Sequence, residues 1–553
     1  MTRNTEMHFS QTPQIDLKRS KFEESYSHKT TFNVGDIVPV YVDSDILPGD
    51  TVQMDMAEVI RMATPIYPIM DNLYADIYFF FVPHRLVWEH WPQFWGENDN
   101  PWTQTTEYEI PQITAPSGGW TEGTIADYMG IPTKVSSLSI NALPFRAYAK
   151  VFNDWFRDEN LESNQHIYMD DTTRQGTNGT GVSQAELGGT CMVASKMHDY
   201  FTSCLPEPQK GDPVQIPLGA SAPVITGLEH AVDPDHNIMR WVTNTGGSLK
   251  NIITDSYSMP LAIRRDGDNI YTGARKNNQD HVSEEIVVPS NLYADLSQAT
   301  AATINQLRTA FAIQKYYENA GLHGTRYIEY IRSVFGVTSS DARLQRAEYL
   351  GGTRVPINID QIIQTSSTDS TSPQGNTAGF SCTINRDSLF TKSFEEHGTL
   401  LGLIVIRTEH TYQQGLNKMW TRKKWTDFYN PFFANLGEQA VLNENIYAQG
   451  TSKDKEAFGY QEAWAEYRYK ENRVSGYMRS NATGSLDVWH FADDYASLPM
   501  LGSTWIKEPK TNVDRTIAVS SNITHQFIAD LYFKTYYTRA MPVYSVPGLI
   551  DHV

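Results

Sequence analysis

Between residues 32 and 62 apolar and polar positions change over in short runs broken by turn chemistry. VPVYV (38–42) predicts a strand and LPGD (47–50) a Pro-Gly turn. TVQMDM (51–56) alternates with the period of two expected of a strand with one buried face. The run ADIYFFFV (75–82) breaks that alternation and predicts a strand buried on at least one face, closed by Pro83. TLLGLIVIR (399–407) predicts another buried strand, and QFIADLYFKTYYTRAM (526–541) the last. A helical period takes over twice. Within 144–161 it relates Phe145, Tyr148, Ala149, Phe152, Trp155 and Phe156. Within 302–337 it puts Leu307, Phe311, Tyr317, Ala320 and Leu322 on one face, with Gly321 and Gly324 placed to divide the segment. Many strand-like segments joined by long loops predict a mainly β chain, a sandwich or jelly roll with large insertions.

Residues 1–31 mix charge signs, with Lys18, Arg19 and Lys21 close together, and read as an extended arm that orders on contact with a partner. The main domain is expected over 32–211 and again over 300–553. Between them, 212–299 is rich in Gly, Asn and Asp, with short strand-like pieces such as APVITGL and EEIVVP. An excursion of that length is expected to be a surface subdomain with its own task.

The 553 residues carry 45 basic and 64 acidic side chains, a net charge of −19, so the whole molecule repels nucleic acid at long range. Contact with DNA then needs a local basic patch or a basic companion. Three cysteines (Cys191, Cys204 and Cys382) in no metal-ligand spacing fit buried thiols rather than a disulfide framework. The N-terminal stretch has no apolar signal region. The longest apolar runs, such as LLGLIVI (400–406), fall far short of the ~20 residues that span a bilayer, so no membrane span is expected.

The chain has no GxGxxG after a strand, GxxxxGK[ST], HExxH or GxSxG. GTNGTG (176–181) is Gly-rich but lacks the strand and helix of a phosphate cradle. His84, Glu89 and His90, broken by Pro83 and Pro92, do not share a helical face, and structural hydrogen bonds fit them better than zinc. In Glu395-Glu396-His397 and Glu409-His410, neighbours on a strand point to opposite faces. Asp233, Asp235, Asp266 and Asp268 are weak calcium candidates that match no EF-hand spacing. No other cofactor is implied. The densest aromatic stretch is LYADIYFFFVPHRLVWEHWPQFWGENDNPW (73–102). Trp88, Trp91, Phe94, Trp95 and Trp102 follow Pro83 with no catalytic company, and they are expected at an interface between subunits. The most basic window is WTRKKWTDFYN (420–430). There Trp420, Arg422, Lys423, Lys424 and Trp425 combine rings and cations as single-stranded nucleic acid contacts do. A carbohydrate-binding or carbohydrate-active β-sandwich protein, with a carboxylate pair beside an aromatic platform, stays open as an alternative.

Several long stretches resemble one family. They include FNVGDIVPVYVDSDILPGD (32–50), YADIYFFFVPHRLVW (74–88), HDYFTSCLPEPQKG (198–211), HTYQQGLNKMW (410–420) and FFANLGEQAVLNENIYAQG (432–450). FGYQEAWAEYRY (458–469), GSLDVWHFADDYASLP (484–499) and RAMPVYSVPGLIDHV (539–553) continue the match. The sequence is similar to the major capsid proteins of microviruses, small icosahedral single-stranded DNA bacteriophages, in their gokushovirus branch. The resemblance implies an eight-stranded antiparallel viral jelly roll with large loop insertions and a few helices. It implies no enzyme activity, and pentamers that build a T=1 shell of sixty copies around circular single-stranded DNA. Further implied partners are a small basic DNA-binding capsid protein, other virion and scaffolding proteins, and a host surface receptor. The protein would then be a virion component assembled in the bacterial cytoplasm. Residues 212–299 fall where such proteins carry threefold protrusions. That makes His236, Arg240, Trp241, Tyr257, Arg264, Arg265 and Tyr271 host-attachment candidates.

Overall fold

The structure is a computed structural model. It describes residues 18–97, 107–181, 184–212, 214, 304–323, 327–337, 345–368 and 373–544, and short strand segments between 224 and 294. Eight strands form two four-stranded antiparallel sheets. They are β1 (Ser20–Phe32), β2 (Val38–Ile46), β3 (Thr51–Met62), β4 (Leu73–Pro83), β5 (Glu348–Pro356), β6 (Thr383–Ser393), β7 (Gly398–Thr408) and β8 (Phe527–Arg539). The first sheet has the order β1-β8-β3-β6 and the second β5-β4-β7-β2. Every consecutive pair of strands except β4–β5 crosses from one sheet to the other, which is the jelly roll.

Two cores explain the hydrophobic pattern. Between the sheets lie Val52, Met54, Met56 and Ile60 of β3, Leu531 and Phe533 of β8, Ile77 and Phe79 of β4, and Leu400 and Ile404 of β7. Behind the second sheet a further core takes Phe80 and Val82 of β4 and Leu401, Leu403 and Val405 of β7. Helix α1 (Leu143–Val151), Trp88 and Trp120 cover them there. Strands β4 and β7 are thus buried on both faces, which is why their sequences lose the polar alternation. A third cluster around Tyr200, Phe201, Tyr412 and Phe458 holds the loops that follow β7.

Three expectations are corrected. Residues 20–31, expected within an extended arm, form β1 together with Phe32 and pair with β8 along all of its length, from Ser20 opposite Arg539 to Phe32 opposite Phe527. Their polar residues suit an edge strand with one solvated face. The segment 144–161, expected to be helical, is α-helix only to Val151, widens into a single broader helical turn over Phe152–Phe156, and leaves helical geometry at Arg157. The segment 302–337 is divided in two as expected, with α2 (Ile304–His323) running through Gly321 and α3 (Tyr327–Phe335) following it, but the expected apolar face is not all covered. Phe311 and Leu322 of its predicted apolar face are exposed, so amphipathic spacing there does not mark a buried face.

Residues Gly211–Tyr317 form a compact unit of their own. Within it Trp241–Thr245 pairs with Ser248–Asn251 and Val287–Pro289, and Leu261–Asp266 pairs with Asn269–Ala274. Leu292–Ala294 pairs with Val224–Thr226. Among the described residues no helix is long and apolar enough to cross a membrane.

Candidate functional site

A dense collection of exposed rings lies in the loop after β7. Three single turns of tight helix, Lys418–Trp420, Trp425–Asp427 and Pro431–Phe433, succeed one another over 418–433. Their polar residues turn inward to the backbone. Asn417 accepts the Met419 N–H at 3.0 Å, Asn430 accepts the Phe432 N–H at 3.0 Å, and Asp427 accepts the N–H groups of Lys423 and Lys424 at 2.8 Å each. Those two N–H groups hold the Asp427 carboxyl below its ordinary range. Turns this short cannot bury both of their faces, and the large side chains are left outside. Trp420 and Trp425 are each 70% exposed and Phe432 94%, with Met419, Phe428, Tyr429 and Leu436 exposed beside them. Trp464 anchors the loop by donating its indole N–H to the Phe433 carbonyl at 2.8 Å, and Tyr429 packs edge-on against it.

The cations of this window are not equivalent. Arg422 donates to Glu466 at 3.2 Å and lies 4.4 Å from the Tyr467 ring centre, and Lys418 shares the same carboxylate at 3.5 Å. Lys423 and Lys424 stay exposed. The structure therefore leaves Trp420, Lys423, Lys424 and Trp425 exposed on the same loop and commits Arg422 to an internal ion pair. Sequence reasoning missed Phe428, Tyr429, Phe432 and Leu436. The signal was the ring-dense run DFYNPFF, interrupted by Asn and Pro and lying on no period.

Of the rings expected between subunits, Trp88 is corrected. It is 0% exposed in the core behind the second sheet, and its indole N–H donates to Asp171 at 2.6 Å, so no partner can reach it. Trp91 is half-buried over His84, at 4.5 Å between ring centres. Phe94 packs on Trp91, and Trp95, 60% exposed, stacks on His397 at 4.6 Å. Trp102 lies outside the described residues.

The histidines hold structure. Burial pushes the His84 ring down to about 4, and His90 sits 2.9 Å from Asp171. Glu409 and His410 do point to opposite sides. Glu409 accepts from Asn72 and Tyr74, while His410 is buried between Asp493 at 3.1 Å and Glu508 at 3.0 Å. Desolvation acts against its charge, but the Glu508 and Asp493 carboxylates outweigh it and raise His410 to about 10. Lys196 balances Asp493 from the other side at 3.0 Å. In the Gly-rich run, a Cβ on Gly176 would stand 2.7 Å from the Trp120 ring, so this glycine serves close packing.

Among the described residues no group of three or more metal-ligating side chains is gathered. Asp233, Asp235 and Asp268 lie outside the described residues, and Asp266 closes the strand Leu261–Asp266. His236, Arg240 and Tyr257 also lie outside. Trp241, Arg264, Arg265 and Tyr271 fall on strands of the 211–317 unit.

Residues 10–549 match the family model described as capsid protein (F protein). The chain is 43% identical to the capsid protein VP1 of Spiroplasma virus 4 over 552 residues, 99% of this chain and 98% of that protein. It is 43% identical to the capsid protein VP1 of Bdellovibrio phage phiMH2K, over 99% and 98% of the two chains. With the capsid protein VP1 of Chlamydia phage 1 it shares 38% identity, over 98% and 97%.

Proposed function

We propose that this chain, which belongs to the phage capsid protein (F protein) family, closes its shell by burying the rings around Trp425 and Phe432 against a neighbouring copy. The protein is a major structural capsid protein and not an enzyme; it is a component of the virion. The observation that carries the proposal is the exposure of Trp420, Trp425 and Phe432 on turns whose backbone N–H groups are capped by Asp427 and Asn430. A contiguous apolar surface of this kind belongs to contacts with other proteins. With Arg422 neutralised by Glu466, rings outnumber available cations, which favours a second copy over DNA.

The assembly has pentamers, sixty copies in a T=1 shell, and circular single-stranded DNA inside, as the likeness to gokushoviruses supports. A small basic capsid protein supplies the charge that a chain at −19 lacks, and scaffolding proteins guide assembly in the bacterial cytoplasm. Trp91, Phe94 and Trp95 form a smaller second contact. The 212–299 excursion meets the host receptor. Its support is position and composition, and calcium bound by its aspartates belongs to the same proposal.

The test is Trp425→Ala with Phe432→Ala, followed by gradient sedimentation of particles and a thermal melt of the subunit. The expected result is loss of particles with a melt within a few degrees of the parent. Normal particles overturn the neighbour contact, and particles that form but stay empty return Trp420, Arg422, Lys423, Lys424 and Trp425 to the genome.

A further inference from the structure

The two sheets differ in what covers them. The outer face of the β5-β4-β7-β2 sheet is packed under α1, Trp88 and Trp120, whereas among the described residues no buried core lies on that of the β1-β8-β3-β6 sheet, whose outward side chains are exposed or half-buried. Along β8 the exposed Ile528, Asp530 and Tyr532 alternate with the buried Phe527, Ala529 and Leu531, and β3 and β6 alternate in step with it. The outward positions are unusual for a molecule at −19. Lys21, Lys29, Arg61, Arg386 and Lys534 stand there against Glu23, Asp55 and Asp530 only. Two of those three carboxylates already have lysines, Lys29–Asp530 and Lys534–Glu23, both at 3.3 Å. Lys21 stands 4.2 Å from the centre of the Tyr536 ring, and Arg61 5.8 Å from that of Phe380. Most of the other outward positions are hydroxyls, among them Ser25, Ser27, Thr31 and Thr391. At the Ile528 end the face opens into a groove of about 890 Å³, where Lys29 and Arg61 stand with the carboxylates Asp530, Glu122 and Asp127 and the apolar lining includes Val59 and Ile528.

We propose that this sheet face is the floor on which the packaged single-stranded DNA lies. The proposal rests on the capsid reading and goes beyond it by assigning the face. The ladder holds cations and hydroxyls at fixed spacing, which suits phosphates. Tyr532, Tyr536 and the apolar side of the groove offer bases something to stack on or enter. A second copy docked on the face would desolvate five cations to bury Ile384, Ile528 and Tyr532, a cost that phosphates lower by bringing the opposite charge.

The test measures binding of a labelled oligothymidylate to dissociated subunits across salt concentrations, and DNA per particle by absorbance ratio. In Lys21→Ala/Arg61→Ala/Arg386→Ala the slope of log affinity against log salt becomes shallower by about 2, at ~0.7 per lost phosphate contact on a single strand. Its particles carry less DNA. Arg386→Gln alone, on an exposed edge-strand position, shifts the slope by about 0.7 and serves if the triple variant folds poorly. Glu23→Gln/Asp530→Asn tightens binding. An unchanged slope in these variants overturns the proposal. So does loss of the slope in Trp420→Ala/Trp425→Ala subunits alone. Lost particle formation with an unchanged slope likewise overturns it and makes the face a subunit contact. Because oligonucleotide binding is read on subunits and shell closure on particles, failure here is separate from failure of the neighbour contact.

Discussion

His410 shows what a single position can do that its sequence neighbours hide. Its imidazolium lies between Asp493 and Glu508, with Lys196 behind, all of them nearly fully buried. These residues come from three separate parts of the chain, around 196, 410 and 493–508, so no local pattern announces them; only the opposite pointing of Glu409 and His410 was legible. Replacing His410 with Asn leaves two buried carboxylates facing one lysine, and removing one member of a buried ion pair costs about 3–5 kcal/mol. The expected outcome is a subunit destabilised by that order in a denaturant titration at neutral pH. The pH dependence has a definite sign. The folded ring titrates at about 10, above its ordinary 6.5, so its contribution is fully present below about 6.5 and is lost as pH rises through about 10. Parent stability should therefore fall on the alkaline side more steeply than that of His410→Asn. Parallel curves would contradict the assignment.

At the scale of elements, strands with one dominant character were readable and those at edges were not. ADIYFFFV and TLLGLIVIR are apolar but for Asp76, Thr399 and Arg407 because a helix-bearing core lies behind the sheet they share. The edge strand β1, by contrast, alternates serine, lysine and glutamate around few apolar residues, and only its pairing with β8 identifies it as a strand. Helix α2 shows the reverse error, a helical period without burial. Gly402, in the middle of β7, gives a test of the double packing. A Cβ there would come within 2.8 Å of both the Phe79 ring and the Tyr41 Cβ. Gly402→Val should cost about 1–3 kcal/mol by overpacking, visible as a lowered melting temperature. A melt equal to that of the parent would mean the sheet is looser than its ladder implies.

For the whole molecule, charge and exposure divide the surface by task. The chain at −19 concentrates exposed rings in 416–436 and cations on one sheet face. Trp420 and Trp425 were visible in the sequence as rings, but their neighbours Phe428 and Phe432 became part of the same surface only once the turns were placed. The sheet face was invisible, because its five cations come from four strands whose order no single stretch encodes. A shell is stable when each subunit contributes several modest contacts. Removing one of them therefore lowers assembly without unfolding the subunit. The most direct measurement is a cryo-EM reconstruction of filled particles at side-chain detail. The account predicts protein density from an adjoining subunit over Trp425 and Phe432, and nucleic-acid density against Lys21, Arg61 and Arg386. It is contradicted if those rings face solvent or DNA, or if the β1-β8-β3-β6 face points away from the genome.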